Sequence, residues 1–311
     1  MYEEPRLRYV TCAVAGNTDE GRANATHRMA YWEWNHTGNP VHPHVIVCVH
    51  GLTRQGCDFD ALASQLALHA RVICPDVVGR GYSDWLEDAN SYQVPLYVAD
   101  MLALLQQVHA AAPIEALDWV GTSMGGLIGI GLAGEESLQP LLPTPVRRLV
   151  LNDVGPAIEA SALARIGSYV GKNMVFANEQ VAADALWELS KGFGPHTPEE
   201  WLALSRPMLR PEVNGMVRLH YDPAIAVSMQ RMTPEMAAAG EQMLWKLYSQ
   251  IQAGTLVLRG ADSDLLSAQT AQSMAERGPR ARVVEFAGVG HAPTLVSFDQ
   301  IAAVLAFLCG A

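Results

Sequence analysis

A serine at position 123 stands in the run Gly121-Thr122-Ser123-Met124-Gly125-Gly126, between the apolar stretches ALDWV and LIGIGLAG. Glycines so placed mean that two backbones approach too closely for a Cβ or that φ is unusual, and the serine is the side chain such a turn displays. A hydroxyl is a poor nucleophile until a base takes its proton, and the base in turn needs an acid to orient it. Residues of both kinds stand where later apolar runs end. Asp153 follows VRRLVLN, Asp262 and Asp264 follow GTLVLRG, and His291 follows ARVVEFAG; His50 closes the earlier run VIVCV. A serine, an acid and a histidine therefore occur in that chain order, each at a place where a strand should stop.

The elements that must position them are legible as patterns. VIVCVH, ARVICPD, ALDWVG, VRRLVLND, GTLVLRG and ARVVEFAG are short, rich in β-branched residues and almost continuously apolar, as parallel strands covered on both faces are. Helical periodicity fills the intervals at Asp58 to His69, Leu96 to Ala112, Gly125 to Ala133, Ser267 to Arg277 and Phe298 to Leu308. Regular alternation of this kind predicts an α/β fold with a doubly wound, mostly parallel sheet and right-handed crossovers. Ahead of it, LRYVTCAVA and HRMAYWEWN read as antiparallel strands joined by the polar segment 16–26. In an open parallel sheet ligands bind beyond the carboxyl ends of the strands, which is where the candidates lie.

The alternation breaks once, over 157–250, where the periodicity is helical and no strand is convincing. Structureless loops of that length are rare. We therefore expect a core of residues 1–156 and 251–311 and a helical lid of residues 157–250 inserted after the sixth strand. The lid holds Trp187, Trp201, Trp245 and seven of the 12 methionines: Met174, Met208, Met216, Met229, Met232, Met236 and Met243. Flexible thioethers suit an adaptable apolar pocket, and serve equally to pack lid helices together.

Taken together, these motifs resemble the α/β-hydrolase superfamily, in particular its lid-bearing esterases, lipases and C–C hydrolases, over nearly the whole chain outside the lid. GTSMGG is similar to the family's nucleophile elbow. His50-Gly51-Leu52-Thr53 resembles its oxyanion loop, and Asp76-Val77-Val78-Gly79-Arg80-Gly81-Tyr82-Ser83 its D-x-x-G-x-G-x-S turn. The resemblance implies Ser123 as nucleophile, His291 as base, and the backbone N–H groups of Leu52 and Met124 as oxyanion donors, each able to lower the barrier by ~3 kcal/mol. Relatives commonly carry the acid three residues after the glycine that ends the strand, but Ser263 occupies that position. Asp264 is followed by Leu265-Leu266 and by Ser267, a good N-cap, which matches the family's order of acid, apolar step and helix start. Asp264 is thus the expected acid, with Asp262 and Asp153 as alternatives; some relatives place theirs where Asp153 stands. The resemblance makes His50 and Asp76 structural, and Asp100, inside a helix, is expected to be solvated or capping.

The reaction implied is hydrolysis of a carboxylic ester, of a small to medium and largely apolar substrate, through an acyl-enzyme. A C–C hydrolase of a vinylogous diketone and a non-catalytic small-molecule receptor are the alternatives. Many meta-cleavage hydrolases carry Gly-His-Trp where this chain has Gly290-His291-Ala292, which favours esters. No cofactor is implied: no G-x-G-x-x-G opens a helix, and the His42/His44 pair lacks a third metal ligand. A formal net charge of −11 argues against nucleic-acid and anionic-membrane partners, leaving a small-molecule substrate and, compatibly, a homo-oligomer. Five cysteines without C-x-x-C spacing, no apolar run of spanning length and the acidic opening MYEEPRLRY, unlike a signal peptide, are expected of a reduced, cytoplasmic protein.

Overall fold

All six continuous apolar runs form strands, and their side chains alternate between two cores on opposite faces of one sheet. On the third strand Val45, Val47 and Val49 enter one core while Ile46 and Cys48 enter the other. The computed structural model describes residues 4–14 and 26–310, so the polar segment expected between the first two strands lies, except for Thr26, outside the described residues.

The core elements are β1 (Arg6–Ala13), β2 (Thr26–Trp34), β3 (His44–Val49), α1 (Asp60–Leu66), β4 (Arg71–Pro75), α2 (Val94–Ala111), β5 (Ala116–Thr122), α3 (Met124–Gly134) and β6 (Val146–Asn152). An inserted unit follows, with α4 (Ala160–Gly167), β7 (Val175–Phe176), α5 (Glu179–Ser190), α6 (Pro198–Ser205), β8 (Leu209–Pro211), β9 (Val217–Leu219) and α7 (Ala226–Gln230). The chain then returns through α8 (Pro234–Gln250), β10 (Gly254–Gly260), α9 (Ala268–Glu276), β11 (Arg282–Phe286) and α10 (Phe298–Cys309). The eight-stranded sheet runs β1-β2-β4-β3-β5-β6-β10-β11, antiparallel at β1/β2 and β2/β4 and parallel from β4 onward. Helices α2, α3 and α8 cover one face, and α1 and α10 the other. Ser267 caps α9 as expected, its Oγ accepting from Thr270 N at 3.2 Å.

Two expectations need correction. The inserted unit is not wholly helical: β7, β9 and β8 make a small antiparallel sheet. Strands of two or three residues are too short to show a period of two. The unit also ends before residue 250, because α8 belongs to the core. Gly134 at the end of α3 lies so close to α8 that a Cβ there would sit 2.2 Å from Leu247 O. On the same helix Tyr248 is fully buried and donates to Met274 O at 2.8 Å. The added unit therefore spans about 157–233.

Parallel register sets the site. Val49 pairs with Gly121, Thr122 with Asn152, Asn152 with Leu258, and Gly260 with Phe286. The segments leaving β3, β5, β6, β10 and β11 thus emerge side by side at one edge, with the inserted unit over them.

Candidate active site

The glycines around Ser123 are close-approach glycines. A Cβ on Gly125 would meet Val49 O at 2.0 Å, and one on Gly121 would meet the Gly125 carbonyl at 2.3 Å. With β5 pressed against the start of α3 in this way, the connecting residue is forced into an unusual conformation: Ser123 has φ 52° and ψ −115°. Its N–H donates to Asn152 O at 3.0 Å, which ties the turn to the end of β6.

His291 reaches this serine from the loop after β11, with Nε2 3.0 Å from Ser123 Oγ. Its other nitrogen, Nδ1, lies 2.8 Å from Oδ2 of Asp153. The carboxylate that meets the histidine is therefore that of Asp153, and the expectation of Asp264 is corrected. Asp153 is the first residue after β6, with φ 55°, and is fully buried. Its Oδ1 accepts from Gly260 N at 2.9 Å and its Oδ2 from Ser263 Oγ at 2.6 Å. Leu265 and Leu266 N–H groups donate to Ser263 Oγ at 3.2 and 3.1 Å, which leaves the serine's proton to point at the carboxylate. Asp264 instead turns outward to Arg165, whose Nε and Nη2 donate to it at 2.6 and 2.8 Å. That guanidinium holds the Asp264 carboxyl below the usual carboxylate range. Asp262 joins through its backbone, N–H to Val289 O at 2.8 Å. Asn152, which the sequence did not single out, fastens the histidine loop with its Nδ2 on Pro293 O at 2.8 Å.

The expected oxyanion donors flank the serine. Met124 begins α3, and a Cβ on Gly51 would stand 3.7 Å from Ser123 Cβ, which puts the Leu52 segment beside Ser123. Neither the Leu52 nor the Met124 N–H has an acceptor among the described residues. Behind both lies Arg80, fully buried and without a carboxylate partner among the described residues. Its Nε donates to Leu52 O at 2.8 Å, Nη1 to Val78 O at 2.6 Å and to Tyr97 Oη at 3.1 Å, and Nη2 approaches Met124 Sδ at 3.5 Å. The Tyr97 and Tyr92 rings lie 5.0 and 5.8 Å from its Cζ. Arg80 was visible only as one letter of a turn motif.

His50 and Asp76 support this wall. His50 is fully buried; its Nδ1 pairs with Gly51 O at 2.6 Å and its Nε2 accepts from Val77 N at 2.9 Å, an arrangement of the neutral ring. Burial, helped by the nearby Arg80 and Arg54 cations, pushes its pKa down to about 3. Asp76 accepts from Gly56 N at 2.8 Å and Tyr82 N at 3.0 Å, and burial raises its pKa to about 6. Asp100 departs from expectation: it is buried and bonds His27 Nε2 at 2.9 Å. With Cys12 it forms a group whose ligand atoms lie within 4.8 Å of one another, a metal-compatible set that the sequence did not signal.

A cavity of about 830 Å³, counting its open mouth, lies before Ser123 and His291. Its wall is mostly apolar, with Ile166, Tyr169, Leu186 and Phe193 among its residues, and it includes Arg54 and Arg165. Of the seven methionines in question, Met174 and Met208 line it. Met216, Met232, Met236 and Met243 are instead exposed at the surface. Among the described residues, no helix is long and apolar enough to cross a membrane.

Known proteins share this architecture. A 3-hydroxybutyrate-oligomer hydrolase of Cupriavidus necator is 47% identical over 100% of both chains. A 2-hydroxymuconate semialdehyde hydrolase of a Pseudomonas species is 27% identical over 73% of this chain and 72% of its own. Among solved structures, an alpha/beta hydrolase from Novosphingobium aromaticivorans superposes with a TM-score of 0.79 at 34% identity, covering 100% of both chains. The model of the alpha/beta hydrolase family matches residues 46–304, a span that runs from β3 through most of α10 and holds every strand end described above. The chain belongs to the alpha/beta hydrolase family.

Proposed function

We propose that this chain, a carboxylic ester hydrolase, acts through Ser123, His291 and Asp153 and takes short oligoesters of hydroxy acids as substrates, the class named for its Cupriavidus relative. The observation that carries the reading is the continuous chain of contacts from Ser123 Oγ to His291 (3.0 Å) to Asp153 (2.8 Å), opening on a largely apolar cavity.

In this mechanism His291 Nε2 takes the proton of Ser123 as Oγ bonds to the ester carbonyl carbon. The oxygen that becomes negative is received by the N–H groups of Leu52 and Met124, and the N-terminal end of α3 adds favourable potential. When the tetrahedral species collapses, the carbon–oxygen bond to the alcohol breaks and His291 returns its proton to that alcohol. Water then attacks the acyl-enzyme with His291 again as base, releasing the acid and restoring the serine. Asp153 orients the ring and stabilises the imidazolium; Gly260 N–H and Ser263 keep Asp153 in place.

The Pseudomonas relative favours a second reading, C–C hydrolysis. Ester cleavage is preferred because the ester-cleaving relative is more alike and matches from end to end, and because Ala292 rather than a tryptophan follows the histidine. The test is covalent labelling. A fluorophosphonate should add one equivalent to the wild type and none to Ser123→Ala, which should also lose hydrolysis of the 3-hydroxybutyrate dimer. Labelling that survives the substitution overturns the assignment. A dienoate turned over about 100-fold better than the dimer, roughly 3 kcal/mol in transition-state binding, replaces it with the C–C reading.

A further inference from the structure

The cavity wall holds two arginines, and their surroundings differ. Arg54 is committed: Nε and Nη2 donate to Asp58 at 2.6 and 2.7 Å, and the pair is largely buried, at 12% and 19% exposure. Arg165, on α4, makes an equally good fork to Asp264, but there the two side chains are 39% and 42% exposed. Such a pair is weakly held, since water and salt screen it. The other neighbour of Arg165 is the hydroxyl of Tyr169, which also lines the cavity. A carboxylate arriving through the apolar cavity would meet the same guanidinium in the planar two-bond geometry that arginine favours. Among the described residues, Asp264 makes no other side-chain hydrogen bond that would be lost by yielding its place.

The chemistry of the substrate supplies such a group. Each oligoester of a 3-hydroxy acid ends in one free carboxylate, carried on the alcohol side of the terminal ester bond. A chain of net charge −11 repels that anion unless a cation waits at the site. We propose that Arg165 is the subsite for the free carboxylate of the substrate, with Asp264 occupying it in the resting enzyme. The inference rests on the ester-hydrolase reading and deepens it: the enzyme reads the acid end and releases hydroxy acid from that end.

The experiment compares kcat/KM for the 3-hydroxybutyrate dimer with that for its methyl ester, both on the same preparation, so that any loss of folded enzyme cancels in the ratio. Arg165→Met should lower the acid-to-methyl-ester ratio about 10- to 100-fold, the worth of a hydrogen-bonded charge, chiefly through KM for the acid. Arg165→Lys should recover part of it. Asp264→Asn should raise the ratio about threefold, since the competing carboxylate is removed. A ratio that Arg165→Met leaves within about twofold of wild type, while the methyl ester is still hydrolysed, sinks the carboxylate subsite alone. A wild type that hydrolyses neither compound sinks the ester reading and this inference with it.

Discussion

Asp153 and Asp264 leave the adjacent strands β6 and β10 and meet opposite surroundings. Asp153 is dry, sits at a positive φ, and takes hydrogen bonds from Gly260 N, Ser263 Oγ and His291. Asp264 is two-fifths exposed and shares its charge with one arginine. A carboxylate that must hold an imidazole needs a fixed position and little competition from water, and three convergent donors supply both. One that faces solvent can be exchanged for another anion. Distance from the end of a strand does not distinguish these cases; what donates to the carboxylate does.

The comparison can be broken most directly by amidation. Asp153→Asn should lower kcat on the methyl ester by up to ~10⁴, as expected when the ring loses its orienting acid, whereas Asp264→Asn should stay within about threefold, the scale of a screened pair. Steady-state kinetics on the two variants decide it, and the reverse ranking would return the acid's role to Asp264. Ser263 sharpens the same point at smaller scale. Ser263→Ala removes one hydrogen bond to a buried charge, worth ~1.5–3 kcal/mol, so kcat should fall about 10-fold or more with KM little changed. A KM effect with kcat intact would mean that the hydroxyl shapes the pocket and does not brace the acid.

The smallest effect expected comes from another buried polar group and is read in stability. His50 has its pKa depressed to about 3 from 6.5, so below pH 6.5 the unfolded chain binds a proton that the folded one refuses. Its stabilising contribution is complete above 6.5 and is lost as pH falls toward 3. The slope is about 1.4 kcal/mol per pH unit for one proton. Urea titrations between pH 6 and 4 should show His50→Gln with a slope shallower by that amount. Equal slopes would assign the acid sensitivity to other groups, and leave burial of His50 without thermodynamic consequence.

The strands and the core helices were legible because each depends on short-range pattern, whereas the pairing of Ser123 with His291, 168 residues apart, was expected only through the family resemblance. Continuous apolar runs need cover on both faces, and a serine among glycines needs a strand pressed against a helix, which the contacts at Gly121 and Gly125 display. The departure at Ser263 was legible too, as a hydroxyl where relatives carry an acid, but its meaning was not. Whether His291 finds Asp153 or Asp264 depends on two loops from neighbouring strands competing for one ring. Sheet register, the Gly260 N–H and the Ser263 hydroxyl decide between them, from 107 and 110 residues away in the chain. For the same reason α8 reads as part of the lid, since an amphipathic helix has the same period whichever surface it covers, and only the fit of Leu247 against Gly134 assigns it to the core. The sequence by itself determined the strands and core helices and, through the family resemblance, pointed to Ser123 and His291; the tertiary structure decided which carboxylate meets His291, the limits of the inserted unit and the exposed Arg165–Asp264 pair, because burial and hydrogen-bond partners are properties of segments brought together from far apart.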